Sequence, residues 1–242
     1  MIWDGKDELK VAGEVFEVRL VADADFSTPE ALERDWVLEG NARAHVAKGR
    51  LVVDSFGSDI AATLWYKGEQ APLDPTVPRG AHDQHWVREP EPVGQEWPGH
   101  FEADLVVEYA GVTVLPHGAC NFNLFLHATE LDGSDVLSRR RSGAYSEYHE
   151  INNYIFTLTQ GWSRFRRDPG FNCISENLGV RGEPDTHYRI VIVQQGSRFR
   201  AFVNDSPVHD VTDPEPHTRG RIALRTWNTS LAYDTFRVWS LV

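Results

Sequence analysis

Side chains that can transfer protons are concentrated in one short stretch of the sequence, residues 145–154. Tyr145, Glu147 and His149 stand at alternate positions, and two asparagines and a further tyrosine follow within five residues. Phenol, carboxylate and imidazole groups serve as general acids and bases in proteins. Because alternate residues of an extended chain share one face, this spacing predicts a surface on which an acid, a base and an orienting group meet.

A basic segment follows this cluster. Its arginines, Arg164, Arg166 and Arg167, precede Asp168-Pro169-Gly170, in which proline and glycine favour a tight turn. The β-branched and aromatic run at residues 155–159 predicts a strand. We therefore expect a strand that carries the cluster and, after it, a loop whose guanidinium groups could hold an anion.

Short strands separated by Gly, Pro and Asn turns must position these residues. Alternation with period 2 predicts strands at residues 14–21, 42–45, 51–54, 61–66, 101–109, 121–129, 188–194, 198–203, 221–227 and 235–241. One short helix is expected at residues 27–35, with Ser27 or Thr28 as its N-cap before Pro29. About a dozen strands with very little helix predict an all-β fold in which two antiparallel sheets pack as a sandwich.

Two of the predicted strands carry polar faces. The strand at 121–129 alternates an apolar face with a mostly polar one that includes His127, a pattern that suits a concave sugar-binding face. The strand at 221–227 places Arg225 and Trp227 on one face, and indole rings stack well on sugars. The residues expected to contact a ligand are Asn121, Asn123, Asn153, Arg164, Arg225 and Trp227.

A stretch rich in proline and glycine, residues 67–100, interrupts the strand pattern. Loops of this length inside a compact domain are uncommon unless they are functional or mobile. The stretch contains His82, His85, Trp86 and Trp97. We expect it to pack beside the candidate site and wall it, with an ordinary surface loop as the alternative.

Composition limits the classes of function. The chain has 242 residues, of which 41% are hydrophobic and 25% charged, as in a globular protein, and we expect residues 1–242 to form a single domain. The formal net charge of −12 argues against nucleic acid or an anionic membrane as a partner and favours a neutral or weakly charged ligand.

The first residues and the cysteines indicate the compartment. The sequence begins without the basic start and apolar core of a secretory signal, and it contains no apolar run that could span a bilayer. Cys120 and Cys173 lack the spacing of a metal or redox motif, which predicts free thiols. We expect a cytoplasmic protein.

Three blocks of the sequence resemble a known family. The runs YHEINNYIFT, SRFRRDPGFN and GRIALRTWNTSLAYDTFRVW are similar to the YesU-like family, a group of bacterial proteins with the concanavalin A-like lectin/glucanase fold, and a weaker similarity begins near Trp36. The resemblance implies a jelly-roll form of the sandwich. It also implies a protein that handles carbohydrate and is often encoded beside sugar-degrading enzymes.

Eliminative cleavage of an oxidised sugar is the chemistry that the cluster supports best. A carbonyl acidifies the adjacent C–H, so a base can remove the proton, while cations stabilise the enolate and an acid protonates the leaving oxygen. We assign His149 as base, Tyr145 or His127 as acid, Glu147 as the group that orients the histidine, and Arg166 as the stabiliser of the enolate. Family context suggests a 3-keto-glucoside or 3-keto-levoglucosan, produced by a partner sugar dehydrogenase.

The sequence leaves several alternatives open. The same polar face could bind sugar without catalysis. A glycoside hydrolase needs two carboxylates at one bond, yet Glu147 and Glu150 lie on opposite faces of a strand. A divalent metal could be held by His127, Glu147 and His149, although their spacing forms no tight motif. Each histidine could instead be a hydrogen-bonded structural residue, and self-association of the chain is undetermined.

Overall fold

A computed structural model describes residues 7–24, 26–68, 99–115 and 118–242. Within these ranges one α-helix, α1 (Pro29–Asp35), and two 3-10 helices, Val136–Ser138 and Tyr145–His149, accompany the strands. The strands are β1 (Asp7–Val11), β2 (Glu14–Asp23), β3 (Trp36–Gly40), β4 (Arg43–Ala47), β5 (Arg50–Asp54), β6 (Ala62–Tyr66), β7 (His100–Glu102), β8 (Leu105–Thr113), β9 (Asn121–Thr129), β10 (Asn152–Thr159), β11 (Ser163–Asp168), β12 (Asn172–Asn177), β13 (Tyr188–Gln195), β14 (Arg198–Val203), β15 (Ser206–Thr212), β16 (Arg219–Thr226) and β17 (Ser230–Leu241).

The strands form two antiparallel sheets, which confirms the all-β prediction. Sheet I has the order β1-β2-β17-β8-β13-β14-β15, with β5 also paired to β17 and β4 to β5. Sheet II has the order β12-β11-β10-β9-β16-β6-β3, with β7 paired to one end of β16. Neighbours in each sheet are often distant in sequence, so the fold depends on long-range pairing rather than on hairpins alone.

The main core lies between the two sheets. Alternate residues of β8, Leu105, Val107 and Tyr109, are buried there, as their period-2 pattern predicts. Leu124 of β9 and Phe156 of β10 meet them from sheet II. The inner face of sheet II is therefore apolar, and any polar residues that alternate with these lie on its outer face.

A second apolar cluster lies on that outer face. The segment between β9 and β10, residues 130–151, folds back over sheet II, and we name it the cap segment. It places Val136, Tyr148 and Ile151 against Phe125 and Ile155 of the sheet. The cap segment covers only part of the outer face of sheet II, so its edge is the border of the uncovered part.

Several local predictions are confirmed. Helix α1 begins after Thr28, whose Oγ1 accepts the Ala31 backbone N–H at 3.3 Å. The turn at Asp168–Gly170 joins β11 to β12, and Gly170 has a φ of +99°, which glycine adopts readily.

None of the described helices combines the length and the hydropathy that a bilayer crossing requires.

Two predictions about the central stretch are wrong. Residues Tyr145–His149 form a 3-10 helix rather than a strand, and the arginines expected on a loop belong to strand β11. The loop at residues 67–100 falls almost entirely outside the described residues. His82, His85, Trp86 and Trp97 lie there, so the wall that they were expected to form stays a prediction.

Candidate functional site

Strand register brings four polar residues into one line across the outer face of sheet II. Thr157 of β10 is paired with Arg164 of β11 on one side and Asn123 of β9 on the other. Asn123 is in turn paired with Arg225 of β16. Residues directly opposite each other on neighbouring strands have adjacent side chains, so Arg164, Thr157, Asn123 and Arg225 form a continuous polar row.

The next line of residues is mostly apolar and lies under the cap segment. Ile155 is paired with Phe125 and with Arg166, and Ile155 and Phe125 contact the cap segment. Arg166 is the polar member of this line, and it stands beside the polar row. The outer face of sheet II therefore has an apolar part under the cap segment and a polar part beyond it, here named the open face, which defines the position of the candidate site. Asn123, Thr157 and Arg225 of the polar part are themselves buried, and Arg164 is partly exposed.

Hydrogen bonds connect the two lines. Arg166 Nη1 donates to Thr157 Oγ1 at 3.3 Å, and the Thr157 hydroxyl donates to Asn123 Oδ1 at 2.7 Å. The Asn123 amide donates to Asn121 Oδ1. Asn121 and Asn123 thus lie on the face that the sequence predicts, in a network of amide and hydroxyl groups that suits sugar hydroxyls.

Arg225 and Arg166 are the main electrostatic feature of the site. Their exposed fractions are 4% and 3%, yet neither guanidinium pairs with a carboxylate among the described residues. Burial lowers the pKa of Arg225 to about 10, so Arg225 remains charged at neutral pH, and burial also lowers the pKa of Arg166. A buried charge without a counterion is unfavourable, and this pair therefore needs a physical explanation.

Aromatic rings partly compensate the two charges. The Arg225 guanidinium lies 4.1 Å from the centre of the Tyr145 ring, and that of Arg166 lies 4.5 Å from the Phe171 ring and 5.0 Å from the Trp162 ring. Such cation–π contacts contribute up to about 2 kcal/mol when desolvated. Arg166 Nη1 also donates to Thr157, whereas Nε of Arg225 is buried without a hydrogen-bond partner.

Tyr145 lies at the centre of these groups. The 3-10 helix holds its ring against Arg225 and, at a centroid distance of 4.4 Å, against His149. Burial raises the pKa of the Tyr145 hydroxyl, while Arg166 and Arg225 oppose that rise because they favour the phenolate. The phenol is therefore placed where it can exchange a proton beside two cations.

His149 lies near a carboxylate that sequence reasoning missed as a functional group. Its Nδ1 lies 3.5 Å from Oδ1 of Asp168, and its ring packs against Phe171 at a centroid distance of 4.0 Å. Asp168 is fully buried, and its Oδ1 accepts the Phe171 backbone N–H at 2.6 Å. His149 Nδ1 makes no hydrogen bond to this carboxylate and is buried without a hydrogen-bond partner. The alternation of β11 puts Asp168 on the same face as Arg166, but in the sequence it reads only as the start of a turn.

Ligand access to His149 is provided by a groove of about 700 Å³. Its lining comes from the cap segment and from Pro169, and it includes both acidic and basic side chains, among them Glu130, Arg139 and Arg141. His149 is partly exposed, with 20% of its side-chain surface accessible. The imidazole therefore borders this groove, whose lining includes His149 but not Tyr145, Arg166 or Arg225.

The position predicted for Glu147 is wrong. Its carboxylate accepts the Ser142 backbone N–H at 2.9 Å and the Ser142 hydroxyl at 2.8 Å, and it thereby stabilises a turn of the cap segment. The parity argument assumed a strand, whereas a 3-10 helix turns successive side chains by about 120°. Asp168 occupies the place beside His149 that the sequence assigned to Glu147.

His127 also lies elsewhere than predicted. It adopts a φ of 55°, and the pairing of β9 with β10 and β16 shifts register at this point, which marks a β-bulge. The bulge turns the fully buried imidazole inward, where its Nε2 bonds to Gln194 Oε1 of sheet I. Burial lowers the pKa of His127 to about 4, so it is a neutral core residue at physiological pH.

Other predicted contacts have structural roles or peripheral positions. The Asn153 amide is fully buried and donates to the Tyr148 carbonyl at 2.9 Å, which fixes the cap segment. Arg167 pairs with Asp213 at 2.7 Å, away from the polar row. Trp227 follows the last residue of β16 and is 47% exposed, so its ring is free to meet a ligand at the edge of the site.

The residues proposed to hold a metal do not converge. His127 faces inward, Glu147 bonds to Ser142, and His149 faces Asp168. Over the part of the chain that the structure describes, no group of three or more His, Cys, Asp or Glu side chains is arranged to hold a metal ion. The three residues of the predicted ligand set therefore do not meet in the described structure.

The carboxylates near the site are already engaged. Glu39 is buried and accepts hydrogen bonds from Trp65 Nε1 at 2.7 Å and from the Tyr148 hydroxyl at 3.0 Å. Burial raises its pKa, but the cap segment separates it from the open face. With Glu147 and Asp168 also bonded, no free carboxylate pair faces the open part of sheet II within the described ranges.

Comparison with known sequences assigns more than half of the chain to a family. No curated protein matches it. The family described as a domain of unknown function, DUF6250, matches residues 97–236. This range covers more than half of the sequence and contains the polar row, the cap segment, Arg166 and Asp168.

Solved structures with the same fold show a galectin-like jelly roll. A Bacillus subtilis protein of unknown function with a galectin-like fold is 17% identical, with a TM-score of 0.70 over 93% of this chain and 99% of its own. An endo-β-1,3-glucanase from Pyrococcus furiosus is 14% identical, with a TM-score of 0.57 and coverages of 97% and 98%. The carbohydrate-binding module CBM66 of Bacillus subtilis is 12% identical, with a TM-score of 0.55 and coverages of 85% and 96%. These similarities show the fold, whereas the narrower YesU-like assignment stays a prediction.

Proposed function

This chain belongs to the DUF6250 family, whose function is unknown, and we propose that it is a carbohydrate-active lyase that works at the open outer face of sheet II. The observation that carries the proposal is the placement of two buried, unpaired guanidinium groups, Arg166 and Arg225, around Tyr145 and beside the His149–Asp168 pair. Proteins with this fold include a glucanase and a carbohydrate-binding module, which supports a sugar as the ligand.

The first chemical step is removal of a proton from the carbon next to a carbonyl. His149 accepts the proton at Nε2, because the Asp168 carboxylate, 3.5 Å from Nδ1, favours the tautomer that carries its proton on Nδ1. The electron pair of the broken C–H bond moves onto the carbonyl oxygen as an enolate. Arg166 and Arg225 stabilise that negative charge, which a water-poor site makes especially effective.

The second step expels the leaving group. The enolate re-forms its carbonyl, a C=C bond forms, and the C–O bond at the next carbon breaks. Tyr145 donates its proton to the departing oxygen, since its phenol lies beside both arginines and its raised pKa keeps it protonated at neutral pH. The proton held by His149 then returns to Tyr145 through solvent, so the protein ends each cycle unchanged.

A small oxidised sugar fits this sequence of steps. A 3-keto-glucoside and 3-keto-levoglucosan both carry a ketone that acidifies the neighbouring C–H, and a sugar dehydrogenase would supply them. A cytoplasmic location, which is part of this proposal, would suit such an intermediate. Hydrolysis by two carboxylates is less well supported, because Glu39, Glu147 and Asp168 are each engaged in hydrogen bonds.

Carbohydrate binding without catalysis is the second candidate. It is favoured by the neutral network of Asn121, Asn123 and Thr157, which can bind sugar hydroxyls without any reacting group. The two candidates differ in one observable, because only a lyase forms an unsaturated product.

The decisive experiment follows product formation directly. Purified protein is incubated with 3-keto sugars generated in place by a sugar dehydrogenase, and with uronate oligosaccharides, while ultraviolet absorbance and proton NMR are recorded. A lyase produces a conjugated chromophore together with loss of the proton next to the carbonyl. Saturated products would instead establish hydrolysis, and line broadening of intact sugars without any product would establish binding alone.

Matched variants test the assigned roles. Tyr145→Phe removes the proton but keeps the ring under Arg225, and His149→Gln removes the base, so each is expected to lower turnover at least about 100-fold with little change in binding. His187→Gln is the control, because this histidine is half-exposed and pairs with Asp234. Equal activity in all three variants would remove both residues from the mechanism.

A further inference from the structure

We propose that the carbonyl compound taken by this site is an acidic sugar, a uronate, whose carboxylate is bound by the Arg166 and Arg225 guanidinium groups. This inference rests on the proposed function, since it names the substrate class of the same site. It narrows the substrate from any oxidised sugar to one that brings its own negative charge.

Charge balance sets these two arginines apart from other buried ones. Five arginines are buried in the described part of the chain, Arg141, Arg166, Arg200, Arg221 and Arg225. Three of them have carboxylate partners: Arg141 pairs with Glu130, Arg200 with Glu14 and Arg221 with Asp135. Arg166 and Arg225 have none among the described residues, and both border the open face. Their missing counterion is most simply the ligand.

The geometry of the pair suits a carboxylate. Contacts of Arg225 with the Tyr145 ring, and of Arg166 with the Trp162 and Phe171 rings, restrict the movement of both guanidinium groups. Guanidinium edges held in this way can bind a planar carboxylate through two parallel N–H···O bonds. Nε of Arg225 is buried without a hydrogen-bond partner, and a ligand oxygen would satisfy it.

The reaction itself distinguishes a uronate from a neutral keto sugar. Removing the proton next to a ketone produces an enolate with one negative charge. Removing the proton next to a carboxylate produces a species with two, because the carboxylate is already charged. Two buried cations match the second species, whereas the first would leave one cation uncompensated in a site of low dielectric constant.

The overall charge of the chain does not oppose this inference. The value of −12 favours a neutral or weakly charged ligand, but an average over the whole surface says little about a buried site. Near Tyr145 the charged groups are Arg164, Arg166, Arg225 and Asp168, and Arg164 pairs with Glu176. The three cations outnumber these two carboxylates. The local field is therefore positive where the ligand would bind.

Binding of matched ligands tests the inference without any need for turnover. Titration calorimetry compares digalacturonate, its methyl ester and a neutral galactose disaccharide against the wild-type protein. Two charge-assisted hydrogen bonds predict that the acid binds about 10- to 100-fold more tightly than its ester. Arg225→Met and Arg166→Met should abolish that ratio, while Arg198→Met, in an exposed pair with Asp210 on sheet I, should leave it unchanged. Circular dichroism of each variant confirms that it is folded.

A thiol already present near the site gives a second readout. Cys173 is exposed and directly opposite Arg166 across β11 and β12, whereas Cys120 is buried and burial raises its pKa to about 12. Iodoacetamide, which is uncharged, should therefore modify Cys173 selectively, and bound digalacturonate should slow that modification several-fold. The methyl ester at the same concentration should protect less.

The outcomes separate the inference from the proposed function. If the ester binds as tightly as the acid, or if a sulfated sugar binds and the uronate does not, the uronate assignment is wrong. If a neutral 3-keto sugar is cleaved and uronates do not bind, the lyase proposal stands and the inference fails. If uronates bind with the expected preference and no unsaturated product forms, the anionic site stands and the lyase proposal fails.

Discussion

The two ends of strand β16 hold buried arginines in opposite circumstances. Arg221 makes two bonds of 2.6 Å to the carboxylate of Asp135, and His100 lies 3.4 Å from the same carboxylate. Arg225, four residues later on the same face, has an aromatic ring, that of Tyr145, as its main neighbour. Residue type, strand and burial are shared, so the difference lies in what the cap segment supplies at each end.

This difference separates a structural arginine from a functional one. At the Arg221 end the cap segment provides a counterion, and the ion pair holds the segment to the sheet. At the Arg225 end it provides a phenol and leaves the charge without a partner. A buried charge left in this way is unfavourable for folding, and such groups are characteristic of sites that bind a ligand or perform chemistry.

The largest predicted effect concerns folding at the Arg221 end. Arg221→Met leaves Asp135 as a buried carboxylate without its partner, so we expect a loss of about 3–5 kcal/mol in the free energy of unfolding. Arg225→Met removes an uncompensated charge, and we expect its stability to stay within about 1 kcal/mol of wild type or to rise. Urea denaturation of the two variants measures both changes. Equal losses would mean that Arg225 has a structural partner after all.

The second prediction concerns activity rather than folding, and here the large effect is expected at Arg225. Arg225→Met should lower kcat/KM about 10²- to 10³-fold, since it removes a charge that stabilises the transition state. Arg225→Lys should recover only part of this loss, because an ammonium lacks the planar fork. Arg198→Met serves as the control for charge alone. Full activity in Arg225→Lys would show that the positive charge is sufficient and that the planar fork is not needed.

Much of the fold could be predicted because it depends on period-2 alternation. The inner-face residues of β8 and β9 follow that period without interruption up to Leu126. The polar face of β9 and the Arg225 face of β16 were correct for the same reason. Assignment of the whole chain, residues 1–242, to one domain stays a prediction.

The errors arise where the backbone departs from that regularity. His127 changes face at a bulge, and a left-handed histidine has no signature in the sequence. The one available signal was Gly220, at φ +149°, where a Cβ would overlap the backbone of His127 and Ala128; glycine inside a strand often marks a bulge.

Charged residues at the site produced the other errors. Strand β11 was predicted as a loop because its outer face carries Arg164 and Arg166 instead of β-formers. Charged residues that form a site on a sheet therefore lower the strand propensity of the segment that carries them, and the strand is missed. Asp168 was missed because the turn that follows it explained its presence, whereas its partner, His149, is close only in the folded chain.

The third prediction uses the buried histidine next to the Arg221 end. The pKa of His127 is lowered by burial from 6.5 to about 4, so the unfolded chain binds a proton near pH 6.5 and the folded chain only near pH 4. Acidification through this range therefore favours unfolding. The difference corresponds to roughly 3 kcal/mol of stability lost by pH 4.

Asparagine at this position isolates the effect. It tolerates the left-handed backbone of residue 127 and cannot titrate. His127→Asn should therefore have a flatter decline of stability between pH 6.5 and pH 4, whatever its stability at neutral pH. His187→Asn, an exposed histidine of sheet I, is the control, and urea midpoints measured across the range report the slopes. An unchanged slope in His127→Asn would assign the acid sensitivity to other groups.

The smallest predicted effects are changes in ligand affinity when either of two tryptophans at the Arg225 end, Trp162 or Trp227, is replaced by alanine. Trp162 stacks on Arg164 at 3.9 Å and supports Arg166 at 5.0 Å, whereas no arginine stacks on Trp227 within the described part of the chain. Trp162→Ala should weaken binding of an acidic sugar by up to about 2 kcal/mol and should affect its neutral ester less, because the arginines lose their support. Trp227→Ala should weaken acid and ester alike, by about 1 kcal/mol, since an exposed indole contacts only the sugar ring. Calorimetry with the matched ligands measures both differences. If Trp162→Ala lowers acid and ester affinity equally, the indole is a sugar platform, and the arginines are positioned by the strand alone.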